Sequence, residues 1–349
     1  MKGREEPPED ASYAGAGVDI DAAERLVSHF AGLAKMARRP EVLADVGPFS
    51  GLFRLGAGYR DPVLAASTDS VGTKVKLAAL LGRYEGTGHD IVNHCVNDIL
   101  TAGAVPLFFL DYIGNCGLSD DAKADLVRGV ASACRDAGCA LLGGETADMP
   151  GTYAEGDYDL VGCTVGVVER DAVIDGSRIR EGDVLLGLPS DGLHTNGYSL
   201  VRKVFGVGVE GDPEEQRRRL NEYYPELGET LGDALLRPHR CYLNDLQPVL
   251  GRLKGVAHVT GGGIRGNVPR IFPPGLAARI GRRLWDKPPI FRLIRQRGQI
   301  AKEEMYRTFN MGLGIVFAVA REDADVVRSQ VPDSFVAGDV AAGTGVVWA

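Results

Sequence analysis

The chain has 349 residues, 44% hydrophobic and 25% charged, with 39 basic against 47 acidic side chains and a formal charge of −8. That length suits two domains of ~100–200 residues, the acidic balance disfavours a broadly basic nucleic-acid surface, and no run of ~18 apolar residues is present to cross a membrane. The 47 glycines follow no Gly-X-Y period, which excludes collagen and points to backbone-lined loops.

The chain opens on MKGREEPPED, a polar tail with two prolines that does not read as a secretory signal. Residues 62–68 form a short apolar strand, followed by a loop over 69–73 and a helical stretch to Leu81. Residues 89–103 carry Ile91, Val92, Cys95, Val96, Ile99 and Leu100 at helical spacing, and Pro106 ends that pattern. A buried strand is expected over 107–113. A helix over 121–137 has Ser119 as N-cap and Gly138 as C-cap glycine. Strands follow at 139–142 and 160–168, and the polar stretch 169–182 sets the domain boundary, giving domains 1–170 and 171–349.

In the second half, a strand over 183–188 leads through a polar loop to a helix near 199–205, and 211–229 reads as a charged surface insertion. A helix over 242–253, a strand over 256–259 and strands over 312–319 and 335–348 complete the pattern. The six cysteines (Cys95, Cys116, Cys134, Cys139, Cys163, Cys241) form no CxxC pair and predict free thiols in a reducing cytosol, hence a cytoplasmic protein.

Five segments share one design, an apolar strand or helix running into glycines and polar groups. Asp69, Gly72, Thr73, Lys74 and Lys76 lie within eight residues. Mg²⁺ takes one or two carboxylates plus phosphate oxygens, and lysine neutralises phosphate, so this segment suits a nucleotide and its metal. It is not a Walker A loop, because Gly-Thr-Lys stands in the wrong order. Asn97 and Asp98 interrupt an otherwise apolar helix, and a buried carboxylate is costly unless paired or bound to metal. Gly143, Gly144, Glu145 and Asp148 form a glycine pair with an acidic rim, read as a loop. Residues 190–199, with His194, Thr195, Asn196 and Ser199, offer donors for a phosphomonoester or ribose. His258 precedes Gly261, Gly262 and Gly263, three glycines opening a helix.

Together these segments resemble the phosphoribosylformylglycinamidine cyclo-ligase (aminoimidazole ribonucleotide synthetase) family along nearly the whole chain. The resemblance is carried by AGVDID at 16–21, RRPEV at 38–42, TDSVGTK at 68–74, CVND at 95–98, PLFFLDY at 106–112, GGETADMPG at 143–151, HTNGYSLVR at 194–202, TGGG at 260–263 and EMYRTFN at 304–310. It implies ATP-dependent closure of formylglycinamidine ribonucleotide to aminoimidazole ribonucleotide in purine biosynthesis. ATP and Mg²⁺ would be the cofactors, Asp69 and Asp98 the metal ligands, and Thr73 and Lys74 would face the phosphates. Gly72, Asn97, Gly143, Gly144, Glu145 and Asp148 would line the nucleotide side. His194, Thr195, Asn196, Ser199, Gly262 and Gly263 would hold the substrate, and Lys74 and His258 would serve catalysis.

The implied fold is a two-domain α+β protein, an N-terminal α+β domain whose mixed sheet pairs in a homodimer and a C-terminal α/β domain. Sister enzymes of the superfamily are the alternative. A selenophosphate synthetase would carry a reactive Cys near its N-terminus, whereas none precedes Cys95, and a thiamine monophosphate kinase would lack TGGG and MYRTFN. The basic run Arg279, Arg282, Arg283, Lys287, Arg292, Arg295 and Arg297, interleaved with Trp285 and Phe291, reads as a solvated helical face with inward-packed aromatics rather than a nucleic-acid surface.

Overall fold

The computed structural model describes residues 20–44 and 46–349, with side chains from residue 26 onward, so the acidic tail and the Ala16-Gly17-Val18 stretch lie outside the described residues. The first unit runs α1 (Ile20–Ala34), β1 (Pro62–Ser70), α2 (Val75–Leu81), α3 (Glu85–Leu100), β2 (Val105–Asn115), α4 (Asp120–Asp136), β3 (Ala140–Asp148) and β4 (Tyr158–Glu169). Its sheet has the order β1-β4-β2-β3, with β2 and β3 parallel and the other pairs antiparallel.

The local signals explain the helices. Ser119 is extended, and its hydroxyl accepts from the Ala122 N–H at 3.2 Å to start α4. Gly138, at φ 63°, takes the left-handed turn beyond its end. α3 and α4 pack backbone to backbone through Gly88 and Gly129. A Cβ on Gly88 would lie 2.5 Å from Leu126 O and Val130 N, and one on Gly129 would strike Glu85 O. Alanine gains ~1 kcal/mol of helix propensity over glycine, but overpacking against rigid backbone costs ~1–3 kcal/mol. Gly88→Ala is therefore expected to lower stability, read as a falling denaturant midpoint at unchanged m. An unchanged or higher midpoint would mean that the helices can separate freely.

Residues 143–148, expected as a loop, instead continue β3. They pair in parallel with β2 from Leu110↔Gly143 to Asn115↔Asp148, so the neighbouring strand satisfies a backbone that lacks apolar side chains. Gly144 is required by close approach, since a Cβ there would strike the Asp111 carboxylate, whose pKa burial pushes up to about 7.

The second unit runs β5 (Val184–Pro189), α5 (Tyr198–Phe205), α6 (Pro213–Leu220), β6 (Tyr223–Tyr224), β7 (Glu229–Thr230), α7 (Leu231–Leu236), α8 (Leu243–Leu246), β8 (Leu253–His258) and α9 (Gly263–Asn267). It continues with β9 (Leu276–Ile280), α10 (Pro289–Gly298), α11 (Lys302–Thr308), β10 (Leu313–Val319), α12 (Ala324–Gln330), β11 (Phe335–Ala342) and β12 (Gly345–Trp348). The main sheet has the order β12-β9-β11-β5-β10-β8, and only β12–β9 is parallel. This unit is thus α+β, not the α/β layer expected, because its neighbouring strands mostly run in opposite directions.

The helix expected over 242–253 stops at Leu246, and a 3-10 stretch containing Pro248 replaces it. The strand expected over 335–348 breaks in two at Gly343, φ 141°. In the basic run, Trp285 is 8% and Phe291 1% exposed, so both aromatics pack inward. One apolar cluster lies beneath α3 and α4 and reaches Leu186, Tyr242 and Phe317 of the second unit, so the two units share core.

Candidate functional site

Helix α3 places Asp90, Asn93, His94, Asn97 and Asp98 at i, i+3, i+4, i+7 and i+8, one polar stripe among the apolar Ile91, Val92, Cys95, Val96, Ile99 and Leu100. That stripe faces the second unit and takes up the backbone of residues 237–242. Asp90 accepts from the His239 N–H at 2.7 Å, and Asn93 donates to His239 O at 2.6 Å. Asn97 donates to Arg240 O at 2.8 Å while its carbonyl accepts from the Tyr242 N–H at 2.8 Å. Lys74 comes from the loop after β1 into the same seam. It is fully buried, pairs with Asp90 at 2.7 Å and donates to Arg237 O at 2.7 Å and His194 O at 3.3 Å. Burial draws Lys74 down and Asp90 up from their ordinary values, opposed by their mutual charge and hydrogen bonding.

Above this seam the polar groups open to solvent. Asp69, near the end of β1, lies 3.0 Å from His94 Nε2, and Asp98 lies 2.8 Å from His258 Nδ1, at the end of β8. Asp98 also accepts from Ser67 Oγ at 2.9 Å, and His94 Nε2 stands 3.9 Å from it. The imidazoles are walled in, at 5% and 2% side-chain exposure, whereas Asp69 and Asp98 are 41% and 32% exposed. Burial alone would raise both carboxyls, but hydrogen bonding and charge from His94 and His258 hold Asp69 and Asp98 below the usual carboxylate range. Burial opposes the charging of His94, yet Asp69 and Asp98 leave it above the usual histidine value, while burial holds His258 below it.

The outer nitrogens of these two imidazoles continue inward. His94 Nδ1 is 2.8 Å from Thr195 Oγ1, Thr195 Oγ1 is 3.4 Å from His239 Nδ1, and His239 Nε2 is 3.0 Å from His258 Nε2. His194 stacks on His239 with ring centroids 3.9 Å apart, and burial holds both well below the usual value.

The structure brings together much of the expected site. Thr73 Oγ1 meets Ser199 Oγ at 3.3 Å across the two units, Gly72 approaches Thr195 O, and the Asn196 carboxamide reaches Gly261. Gly262 is exposed at φ 92° at the start of α9, whereas Gly263 is buried because a Cβ there would strike Tyr306 O. Four other groups stand apart from the open carboxylates. Lys74 is sealed in the seam with no open face, and the Asn97 carboxamide is taken up by backbone bonds. His194 lies behind the wall at 2% exposure, offering its carbonyl to Lys74 rather than its ring to a substrate. Gly143, Gly144, Glu145 and Asp148 lie on β3, three strand spacings or about 14 Å from Asp69 in the same chain, and Asp148 pairs with Lys123 at 3.0 Å. His258 carries its expected place beside the glycines but touches Asp98 rather than open space. His94, His239 and Asp90 are the functional groups the sequence reading missed. For Asp90 and His94 the signal is the helical spacing of polar residues within 90–98, whereas His239 sits in an irregular segment with no local signal.

Residues 52–168 match the AIR synthase related protein, N-terminal domain, and residues 180–348 its C-terminal domain. The phosphoribosylformylglycinamidine cyclo-ligase of Desulfitobacterium hafniense is 49% identical over 336 residues, covering 94% of this chain and 96% of that protein. That of Myxococcus xanthus is 49% identical over 341 residues, covering 96% and 97%. Among solved structures, thiamine-monophosphate kinase from Stenotrophomonas maltophilia superposes with a TM-score of 0.64 at 18% identity over 95% of this chain and 96% of that one. The hydrogenase maturation protein HypE in complex with ATP gives 0.64 at 18% identity over 94% and 91%. At such identities the two structures share the fold.

Proposed function

The chain belongs to the phosphoribosylformylglycinamidine cyclo-ligase family, and on that premise we propose how its junction performs the family's ATP-dependent ring closure. The reaction converts formylglycinamidine ribonucleotide and ATP into aminoimidazole ribonucleotide, ADP and phosphate. An amide oxygen leaves poorly, so its phosphorylation turns it into departing phosphate. The amidine nitrogen on the same molecule then attacks the activated carbon, and held proximity favours the five-membered ring.

The observation that carries the site assignment is the pair Asp69 and Asp98, two open carboxylates from different elements, each held ionised by a walled-in imidazole. Their oxygens suit Mg²⁺, a hard ion that keeps phosphate and water oxygens in its remaining positions. When bound, the ion offsets the charge of the phosphates and of the departing phosphate. Thr73, Gly72, Asn196, Ser199 and Gly262 line the adjoining surface and offer hydroxyl, amide and backbone donors to the phosphates and the ribonucleotide, with Thr195 buried behind them. Lys74 and His258 act through neighbours. Lys74 fixes the seam, and His258 aims the Asp98 carboxylate outward.

A homodimer is proposed from β1. Among the described residues one of its edges pairs with no strand, and Leu64, at 61% exposure, stands with Ala66 and Thr68 on the sheet face away from α3. Among the described residues no helix is long and apolar enough to cross a membrane, none of the six cysteines is paired, and a cytoplasmic location is proposed with them.

The test is purified chain with formylglycinamidine ribonucleotide, ATP and Mg²⁺, following aminoimidazole formation against omission of each component. Product that forms without ATP, or none with everything present, would overturn the reading. Sedimentation of the same preparation at the monomer mass would overturn the dimer.

A further inference from the structure

Mg²⁺ has no use for nitrogen ligands, yet the open carboxylates stand beside two. His94 Nε2 lies 3.0 Å from Asp69 and 3.9 Å from Asp98, and His258 Nδ1 lies 2.8 Å from Asp98. His94, Asp98 and His258 thereby form a group whose donor atoms could surround a single ion. These donor separations match adjacent ligands on a metal held at ~2.0–2.2 Å.

A second, independent feature is the bracing of both rings from behind. A ligating histidine commonly gives its other ring N–H to an outer partner, which fixes the tautomer and turns the free lone pair toward the metal. Here His94 Nδ1 can donate to Thr195 Oγ1 at 2.8 Å, and His258 Nε2 can donate to His239 Nε2 at 3.0 Å. Binding an ion would move the ring protons to those outer nitrogens, in place of the N–H bonds that His94 and His258 give Asp69 and Asp98 without it, and so free the lone pairs of His94 Nε2 and His258 Nδ1 for the ion. The deeper trio of His194, His239 and His258 does not compete. The His194 and His239 rings lie stacked at 19°, and nitrogen lone pairs in near-parallel planes do not converge on one ion.

We propose that His94, Asp98 and His258, with Asp69 beside His94 at their edge, form a mixed nitrogen and oxygen site that takes a divalent first-row transition ion in preference to Mg²⁺, independently of nucleotide. The proposal rests on the reading of Asp69 and Asp98 as cation ligands and adds the imidazoles to it. Imidazole favours transition ions, whereas carboxylate, carbonyl and water suit Mg²⁺.

The probe is Mn²⁺, added to the nucleotide-free full-length chain and followed by the paramagnetic signal of the free ion, with Mg²⁺ as competitor. One Mn²⁺ should bind at least ~10-fold tighter than Mg²⁺, and pulsed spectra should show ¹⁴N coupling from imidazole. His94→Gln keeps a hydrogen-bonding group beside Asp69 but offers no imidazole. It should weaken Mn²⁺ by ~10-fold or more and leave Mg²⁺ within about threefold, with the melting temperature confirming a folded chain. Mn²⁺ bound no tighter than Mg²⁺, bound without ¹⁴N coupling, or bound equally well by His94→Gln would overturn the nitrogen site while leaving the carboxylate reading in place. If Asp69→Asn and Asp98→Asn also bind both ions unchanged, the carboxylate reading falls with it.

Discussion

Asp98→Asn is expected to lower kcat/KM for the ring closure by at least about 10²–10³-fold while leaving the melting temperature within a few degrees of the parent. The two halves of that expectation come from different contacts. Asparagine is nearly the same shape, and its carbonyl can still accept from Ser67 Oγ, now 2.9 Å away, or from His258 Nδ1, now 2.8 Å away. The seam beneath is built by Asp90, Asn93 and Asn97, which the change does not touch. What disappears is a charge, 32% exposed, that His258 keeps ionised and that the proposed cation and phosphates would feel at close range. Losing one preorganised charge at a reacting phosphate costs far more in turnover than in folding, because the folded chain without ligand makes no use of it. The measurement is steady-state kinetics at saturating ATP and ordinary Mg²⁺, beside a thermal melt. A variant within tenfold of the parent rate would remove Asp98 from the metal site.

The legibility of this site in the sequence follows the range of the interactions. Ser119 capping α4 and Gly138 ending it are local, and both stand where the spacing put them. Asn97 and Asp98 were visible as polar breaks in an apolar helix, but the rest of the stripe was not joined to them. His94 and Asp90 are polar for the same reason, and only the segment opposite reveals it. That segment, residues 237–242, contributes mainly backbone. The carbonyls of Arg237, His239 and Arg240 and the N–H groups of His239 and Tyr242 carry no side-chain signature.

The same gap explains the glycine-rich stretch at 143–148. Glycines and acids read as a loop when considered one segment at a time, but a parallel neighbour more than thirty positions away supplies the hydrogen bonds and makes it a strand. Lys74 shows the same limit. A lysine beside Gly-Thr suits a phosphate, and nothing local says that Asp90 lies beneath it.

Asp90→Ala is expected to cost about 3–5 kcal/mol of folding stability, because it strands the Lys74 ammonium in a site with no solvent. The carbonyls of His194 and Arg237 remain as acceptors, but neither carries a compensating charge. The double change Lys74→Met with Asp90→Leu removes both charges and fills similar volume, so it should recover much of the loss. Full recovery is not expected. The His239 N–H, which Asp90 accepts at 2.7 Å, would be left buried and unpaired, at a cost of about 1–3 kcal/mol.

Denaturant unfolding of Lys74→Met, Asp90→Leu and the double variant forms a cycle that separates these contributions, with Asp90→Ala measured beside it. A loss below about 1 kcal/mol for Asp90→Ala would mean that Lys74 is neutral in the fold or reaches water. Kinetics on the double variant, at a temperature where it is folded, address the sequence expectation directly. If Lys74 only pins the seam, the KM for ATP should change by less than about threefold, since a residue with no open face adds no binding that ATP could lose. A tenfold rise in that KM with an intact fold would instead return Lys74 to the phosphates, and the seam would then have to open during turnover.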